Sequence, residues 1–365
     1  MMKKVAIITL PGYFNYGNIL QNYALQEFVN KLFKEQVVTT IWFIKTDLKT
    51  YKKVTLKARE IFTHNGFGSF INRLIHFQKA VRDYNFKNFH NRYIKLAYEK
   101  SKSNLNKKYD YFIVGSDQVW NPWWIKENTY FLQFADKQKR VSYAASFGVS
   151  EISPDKIEDV KKGIKGMNFV SVREYAGAKI VKELTGIDVP VLVDPTLLLT
   201  KSEWDEVTER PEWYKDEKFI LLYFLSDLPD KVRKEIQNIS NKYKLKIIDL
   251  MDNENIDFYS ASPGEFLYLI QKCSLMCTDS FHGTVFSILN KKPFVTCSRG
   301  SGDMDSRIDT LLQRFKLEDR KISKANNYEI TDPIEIEYPD VEAILDKEQQ
   351  RSREFLIEAL NIKEL

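Results

Sequence analysis

A chain of 365 residues is too long for one ordinary hydrophobic core, so two domains are the default expectation. Its 55 basic and 50 acidic residues leave a net charge of +5, a mixed surface that suits anionic small ligands or an anionic membrane face. No segment joins a dense Lys/Arg stripe to a nucleic-acid-binding motif, no apolar stretch approaches the roughly 20 residues that span a bilayer, and Cys273, Cys277 and Cys297 lack zinc-finger companions. The reading is therefore a reduced chain with no nucleic-acid partner and no metal. Met1–Leu10 lacks a signal-peptide core of adequate length, which leads us to expect the cytoplasm, including the inner face of the cell membrane.

In chain order, Lys4–Leu10 reads as a buried strand. A turn over Pro11–Asn18 follows, then a helix from Ile19 to about Lys34, with Leu25, Phe28, Val29, Leu32 and Phe33 at helical spacing. Val37–Phe43 is the next strand. The stretch 46–106 breaks the alternation and is expected to be a helical insertion forming a lid or wall. Tyr109–Val114 and Arg140–Ser146 read as strands that end in Gly115-Ser116-Asp117 and Phe147-Gly148. Ser153-Pro154 opens a helix. Phe169–Val172 runs into Ser171-Val172-Arg173-Glu174, a capping-box pattern, and the helix after it stops at Gly186. Val189–Val193 ends at Asp194-Pro195.

Thr200-Lys201-Ser202-Glu203 is a further capping box and marks the start of the second domain. There Phe219–Leu225 (strand), Asp230–Tyr243 (helix) and Leu245–Leu250 (strand) repeat the alternation, and Ser262-Pro263-Gly264-Glu265 opens another helix. Alternating βα units imply mostly parallel sheets. The expected fold is α/β, with two Rossmann-like parallel-sheet domains facing a cleft. The boundaries are 1–198 for the acceptor-side domain, 199–330 for the domain carrying His282, and 331–365 for a tail and helix packing back across the junction.

Ser274–Cys277 reads as a strand that stops at a polar turn, Thr278–His282, at the start of an apolar helix. Ligand crevices of open α/β sheets lie outside the carboxyl ends of the strands, where helix N-termini favour anions. An imidazole there is a candidate acid/base, though a histidine that merely caps the turn is the competing reading. Arg173, placed in the first turn of its helix, and the loop residues Arg299 and Arg307 are candidate anion contacts or ordinary solvated cations. No P-loop and no nucleophile elbow occurs. His64, His76 and His90 lack metal spacing, and Asp303-Met304-Asp305 is an isolated D-x-D.

Six segments in order resemble the polysaccharide pyruvyl transferase family. They are Asn15–Leu25, Val114–Asn121, Ser142–Gly148, Ser171–Glu174, Asp194–Leu197 and Asp279–Gly283. The resemblance implies a GT-B-like two-domain fold and transfer of pyruvate from phosphoenolpyruvate to a sugar of a cell-surface polysaccharide or its precursor, giving a cyclic ketal. It matches His282 to the catalytic histidine and Arg173 to an arginine near the donor. Many members carry arginine two residues before that histidine; here it is Ser280, so one donor-binding cation is absent or supplied by Arg299 or Arg307. The remaining expected contacts are Gly17, Asn18, Gln21, Gly115, Ser116, Asp117, Gln118, Asp279 and Gly283, with Trp120, Trp123 and Trp124 as sugar platforms or core aromatics. The implied partners are phosphoenolpyruvate, a glycan acceptor and membrane polysaccharide machinery, with no cofactor. A nucleotide-sugar glycosyltransferase and a non-catalytic family member are the alternatives.

Overall fold

The computed structural model describes residues 3–12, 15–33, 37–43, 67–123, 128–299, 305–330 and 333–362. The first half forms six parallel strands: β1 (Lys4–Ile8), β2 (Val37–Phe43), β3 (Leu96–Glu99), β4 (Tyr111–Val114), β5 (Arg140–Ala145) and β6 (Phe169–Val172). Their order in the sheet is β3-β2-β1-β4-β5-β6. The principal helices of this half are α1 (Tyr16–Leu32), α2 (Phe67–Tyr93), α3 (Ile157–Lys165) and α4 (Tyr175–Thr185).

The second half builds a five-stranded parallel sheet from β7 (Phe219–Tyr223), β8 (Lys246–Asp249), β9 (Leu275–Thr278), β10 (Phe294–Cys297) and β11 (Lys321–Ile322), ordered β11-β10-β9-β7-β8. Its principal helices are α5 (Asp230–Tyr243), α6 (Pro263–Lys272), α7 (Phe281–Leu289) and α8 (Ser306–Phe315). β7 and β9 are buried along their whole length, as continuous apolar runs require when helices cover both sheet faces. Both sheets are doubly wound, so the fold is α/β with two Rossmann-like domains in a GT-B-like arrangement.

The strand orders decide where a ligand can sit. Connections leave in opposite directions on either side of β1 and β4 in the first sheet, and of β7 and β9 in the second. Crevices open at these two switch points, beyond the strand ends. The two sheets share one continuous core, to which Val5 and Leu20 contribute from one side and Phe219 and Phe286 from the other. Tyr16 of α1 stacks on Phe266 of α6 at 4.2 Å between centroids, and its hydroxyl donates to the Ala261 carbonyl at 2.8 Å. A final helix, α9 (Val341–Ala359), spans both halves. Gln349 donates to the Leu197 carbonyl at 2.9 Å, while Glu348 pairs with Arg314 of α8 at 3.1 Å.

Three local expectations are corrected. The part of 46–106 that is described is not an insertion outside the alternation: β3 pairs parallel to β2, so α2 is an ordinary crossover helix. The rest of that call, 46–66, lies outside the described residues. Ser171 and Glu174 form no capping box. Ser171 lies within β6 and its hydroxyl bonds β5, while the Glu174 carboxylate accepts from the Ser146 hydroxyl at 3.0 Å and the Phe147 amide at 2.9 Å. The helix begins only at Tyr175, so Arg173 precedes it rather than occupying its first turn. The capping boxes at Thr200/Glu203 and Ser262/Glu265 do form.

Candidate active site in the interdomain cleft

The two switch points face each other across a cavity of about 440 Å³, within the roughly 300–1,000 Å³ of small-molecule sites. The first domain supplies Leu10, Pro11, Asn15, Asn18, Asp117, Gln118 and Tyr130; the second supplies Leu225, Ser280, Phe281, His282, Arg299 and Arg307. Both arginines come from the second domain, while apolar side chains come from both domains. The N-termini of α1, α7 and α8 converge here, and each brings unpaired N–H groups and a positive dipole end.

His282 sits in the first turn of α7, which Ser280 caps by accepting from the Gly283 amide at 3.3 Å. Its imidazole is held by the opposite domain. Nε2 lies 3.6 Å from Asp194 Oδ1, too far for a hydrogen bond. Nδ1 lies against α1: a Cβ built on Gly17 would fall 1.8 Å from it. Only glycine allows that approach. Asn15 caps α1 there, accepting from the Gly17 amide at 2.9 Å.

Asp194 is the organising group. It is fully buried, and its carboxylate accepts from the Ser116 hydroxyl at 3.0 Å, the Thr196 amide at 3.0 Å and the Thr196 hydroxyl at 2.7 Å. Arg173 Nη1 pairs with it at 2.5 Å. Burial alone would push this carboxyl up; the His282 imidazole, the Arg173 guanidinium and the Thr196 N–H outweigh it and hold the carboxyl well below the usual range. The sequence reading placed Asp194 at a strand end within a family segment but gave it no role.

Arg307, the second residue of α8, is 6% exposed and lines the cavity. Among the described residues it forms no ion pair, and its Nε has no hydrogen-bond partner. With the Gln118 amide oxygen turned toward it, both terminal nitrogens donate at 3.1 and 3.2 Å. Burial, then repulsion from Arg173, pushes its pKa down to about 10. Arg299 also lines the cavity, tied through Nε to the Asp279 carboxylate at 3.2 Å. Asp279 in turn accepts from the amides of Leu225 at 2.7 Å and Ser226 at 2.9 Å, so it fixes the β7 loop rather than facing a ligand.

Of the expected site residues, Asn18, Asp117, Gln118, Ser280, His282, Arg299 and Arg307 line the cavity. Gly17, Gln21, Gly115, Ser116, Asp279 and Gly283 stand behind it as framework. Gln21, for example, accepts from the Ser116 amide at 3.0 Å, and a Cβ on Gly115 would meet the Tyr143 carbonyl at 2.3 Å. Arg173 is close to His282 through the shared Asp194 but does not reach the cavity: it is 2% exposed and lies under the Phe281 ring at 4.6 Å. A direct grip of Arg173 on the ligand is not present in this arrangement. Asn15, Tyr130, Leu225 and Phe281 were missed, because each becomes a lining residue only once two strand ends are opposed.

Other expected features fall elsewhere. Trp120 is fully buried against Phe131 and Phe147 and is no sugar platform; Trp123 is 79% exposed. Trp124, His64 and Asp303 lie outside the described residues. Asp305 pairs with Lys321 at 3.1 Å. Among the described residues no cluster of three His, Cys, Asp or Glu could hold a metal ion, and no helix is long and apolar enough to cross a membrane.

Fold and site define a doubly wound two-domain α/β protein with a histidine and two arginines lining its interdomain cleft. The sequence matches the family model for polysaccharide pyruvyl transferase over residues 15–301, and the chain belongs to that family. No curated protein matches it. Similar solved structures include the UDP-GlcNAc 2-epimerase of Methanocaldococcus jannaschii in complex with UDP-GlcNAc and UDP (14% identity, 99% of this chain and 100% of that chain, TM-score 0.45). Others are the UDP-GlcNAc 2-epimerase of Neisseria meningitidis bound to UDP-GlcNAc (10%, 98% and 100%, 0.43) and the ADP-heptose lps heptosyltransferase II of E. coli (10%, 99% and 99%, 0.38). At these identities the likeness is one of fold.

Proposed function

We propose that the protein transfers pyruvate from phosphoenolpyruvate to two hydroxyls of a sugar in a cell-surface polysaccharide or its precursor, forming a cyclic ketal. The observation that carries this is Arg307, a buried cation that forms no ion pair among the described residues, opening on a cavity where three helix N-termini meet. Leaving such a group uncompensated is costly, and a dianionic ligand removes that cost. Phosphoenolpyruvate carries a carboxylate and a phosphate, which Arg307, Arg299 and the helix ends are suited to receive. The acceptor sugar lies against the apolar side chains of Leu10, Pro11, Tyr130 and Leu225.

His282 is the acid/base. Asp194 Oδ1 lies 3.6 Å from Nε2, and the ring lines the cavity. The imidazolium protonates the donor's methylene carbon, making a methyl group and an oxocarbenium-like centre at C2. One sugar hydroxyl adds to C2 and releases its proton to the imidazole. The C2–O bond to phosphate breaks, and the phosphate leaves with the electron pair. The second hydroxyl adds to C2 and closes the ring; its proton leaves with the phosphate. Cations around the departing phosphate stabilise its developing charge. The reaction on this reading takes place in the cytoplasm, at the membrane face where a glycan precursor is assembled.

Thermal-shift titration tests the donor. Phosphoenolpyruvate should raise the melting temperature of the wild type, and Arg307→Gln should weaken that response at least tenfold while the fold is retained. A response to nucleotide sugars and none to phosphoenolpyruvate would overturn the assignment in favour of a glycosyltransferase.

A further inference from the structure

Charge is spread unevenly along the chain. Residues 77–108 hold nine Lys and Arg against two acidic residues, Asp83 and Glu99, a net of +7. The whole chain carries +5, so everything outside this stretch sums to −2. The stretch takes in the C-terminal part of α2 and the strand β3, which forms one edge of the first sheet. Part of its charge is already answered. Arg92 pairs with Glu209 at 2.9 Å, Lys108 pairs with Glu99 at 2.6 Å, and Arg82 is buried. Lys87, Lys95 and Lys100 are exposed and form no ion pair among the described residues.

The outer face of α2 is unusual for a helix that only covers a sheet, whose far side is ordinarily polar. Its inner side is ordinary: Gln78, Arg82, Phe86 and Phe89 recur at helical spacing and are buried. On the opposite side, Phe77, Ala80, Tyr84, Lys87 and Asn91 follow one another at helical spacing, and all are exposed. Phe77 is 59% exposed and Tyr84 63%; among large hydrophobic side chains of the described residues only Trp123 is more so. At about 1.5 Å of rise per residue the stripe is roughly 20 Å long.

The sheet edge adjoins it. The ring of Trp42 on β2 lies 4.8 Å from that of His90 on α2 and 6.3 Å from that of Tyr98 on β3. Tyr98 is 52% exposed, and Lys95 and Lys100 bracket its strand. Exposed aromatic rings and uncompensated lysines therefore occupy adjoining parts of the first domain.

We propose that this surface, the outer stripe of α2 with the β3 edge, docks on an anionic lipid bilayer. Aromatic rings beside lysines suit the headgroup region: the rings enter the boundary with the acyl chains, and the ammonium groups meet lipid phosphates. Each lysine near such a surface strengthens binding about fivefold. A second copy of this chain is the poorer occupant, because it would bring the same positive charge to the contact. The proposal deepens the membrane-face location given above and rests on that reading for the glycan precursor met there. The docking itself requires only anionic lipid.

Flotation of the full chain with lipid vesicles is the test. Vesicles of phosphatidylcholine and phosphatidylglycerol at about 7:3 should carry the protein up, and vesicles of phosphatidylcholine alone should not. Raising salt from about 0.05 to 0.5 M should release it, since screening shortens the reach of the lysines. Phe77→Ser combined with Tyr84→Ser should weaken binding about tenfold. The set Lys87→Gln, Lys95→Gln and Lys100→Gln should weaken it more, by about fivefold for each lysine. The lysine set leaves the rings in place, so it decides the matter if the aromatic pair fails to fold. No binding to the anionic vesicles, equal binding to both kinds, or binding that survives the lysine set would each overturn the surface. So would a dimer in light scattering that Phe77→Ser and Tyr84→Ser dissociate, which would give the face to a second copy. A thermal shift with phosphoenolpyruvate but no flotation removes the docking surface and keeps the donor; flotation without that shift does the reverse.

Discussion

Asp194 holds Arg173, orients toward His282 and ties down Ser116 and Thr196, so the site depends on one carboxylate. Asp194→Asn keeps the shape and removes the charge. The Arg173 cation is then buried without a full partner, which should cost about 3–5 kcal/mol in urea unfolding at neutral pH. The sign of the pH dependence follows from a folded pKa held below the unfolded one. The stability from this ionised carboxylate is complete above its ordinary value of about 4 and is lost as the pH falls below it. The gap between wild type and Asp194→Asn should accordingly narrow in unfolding curves recorded near pH 3; a gap that stays constant would show that the charge of Asp194 is not what stabilises the fold. Gly17 makes a second residue-scale case. A methyl group there would sit 1.8 Å from Nδ1 of His282 and 2.3 Å from its Cγ, so the imidazole must move. A displacement of about 1 Å at a reacting group costs on the order of 100-fold in rate. Gly17→Ala should lose turnover on that scale in a pyruvyl-transfer assay, and full activity would remove the imidazole from the chemistry.

At the scale of elements, α7 does two jobs with one turn. Ser280, two residues beyond the end of β9, caps the helix, which aims His282 into the cleft. Ser280→Ala should therefore cost about 1 kcal/mol of stability, seen as a lowered unfolding midpoint, while donor affinity stays within twofold. A large loss of donor affinity would make Ser280 a ligand contact rather than a cap. This unit was legible in the sequence because all its signals are local: an apolar run, a short polar turn and an apolar helix closed by Lys292-Pro293. The cations were only half legible. Arg299 and Arg307 were named as candidates from a loop, yet nothing local distinguishes a solvated arginine from one buried beside Gln118. Arg173 shows the converse failure. Its apparent place in a first helical turn came from a capping-box pattern, but Glu174 instead bonds the loop after β5, and the helix starts later. A local motif lost to a non-local hydrogen-bond acceptor.

For the whole molecule, the fold class was readable from alternating βα units, whereas the cavity was not. It depends on which strands neighbour each other at the two switch points and on how one sheet meets the other, and both are fixed by packing between residues far apart in the chain. Asp194 acquires its role only when α7 of the second domain docks on α1 of the first. The same long-range packing buries His90. Sequence spacing assigned this residue to surface or packing rather than metal; in the structure α2 presses its ring against Trp42 of β2 at 4.8 Å. Burial lowers its pKa from 6.5 to about 4. Between those values the unfolded chain binds a proton that the folded protein refuses. Stability should thus fall as the pH drops from 6.5 toward 4 and gain no further loss from this residue below that. At about 1.4 kcal/mol per pH unit, the window caps the loss near 3 kcal/mol. His90→Phe keeps an aromatic ring against Trp42 and has nothing to protonate. Its melting temperature should decline less than that of the wild type between pH 6.5 and 4. Parallel declines in the two proteins would place the acid sensitivity of the fold in other groups.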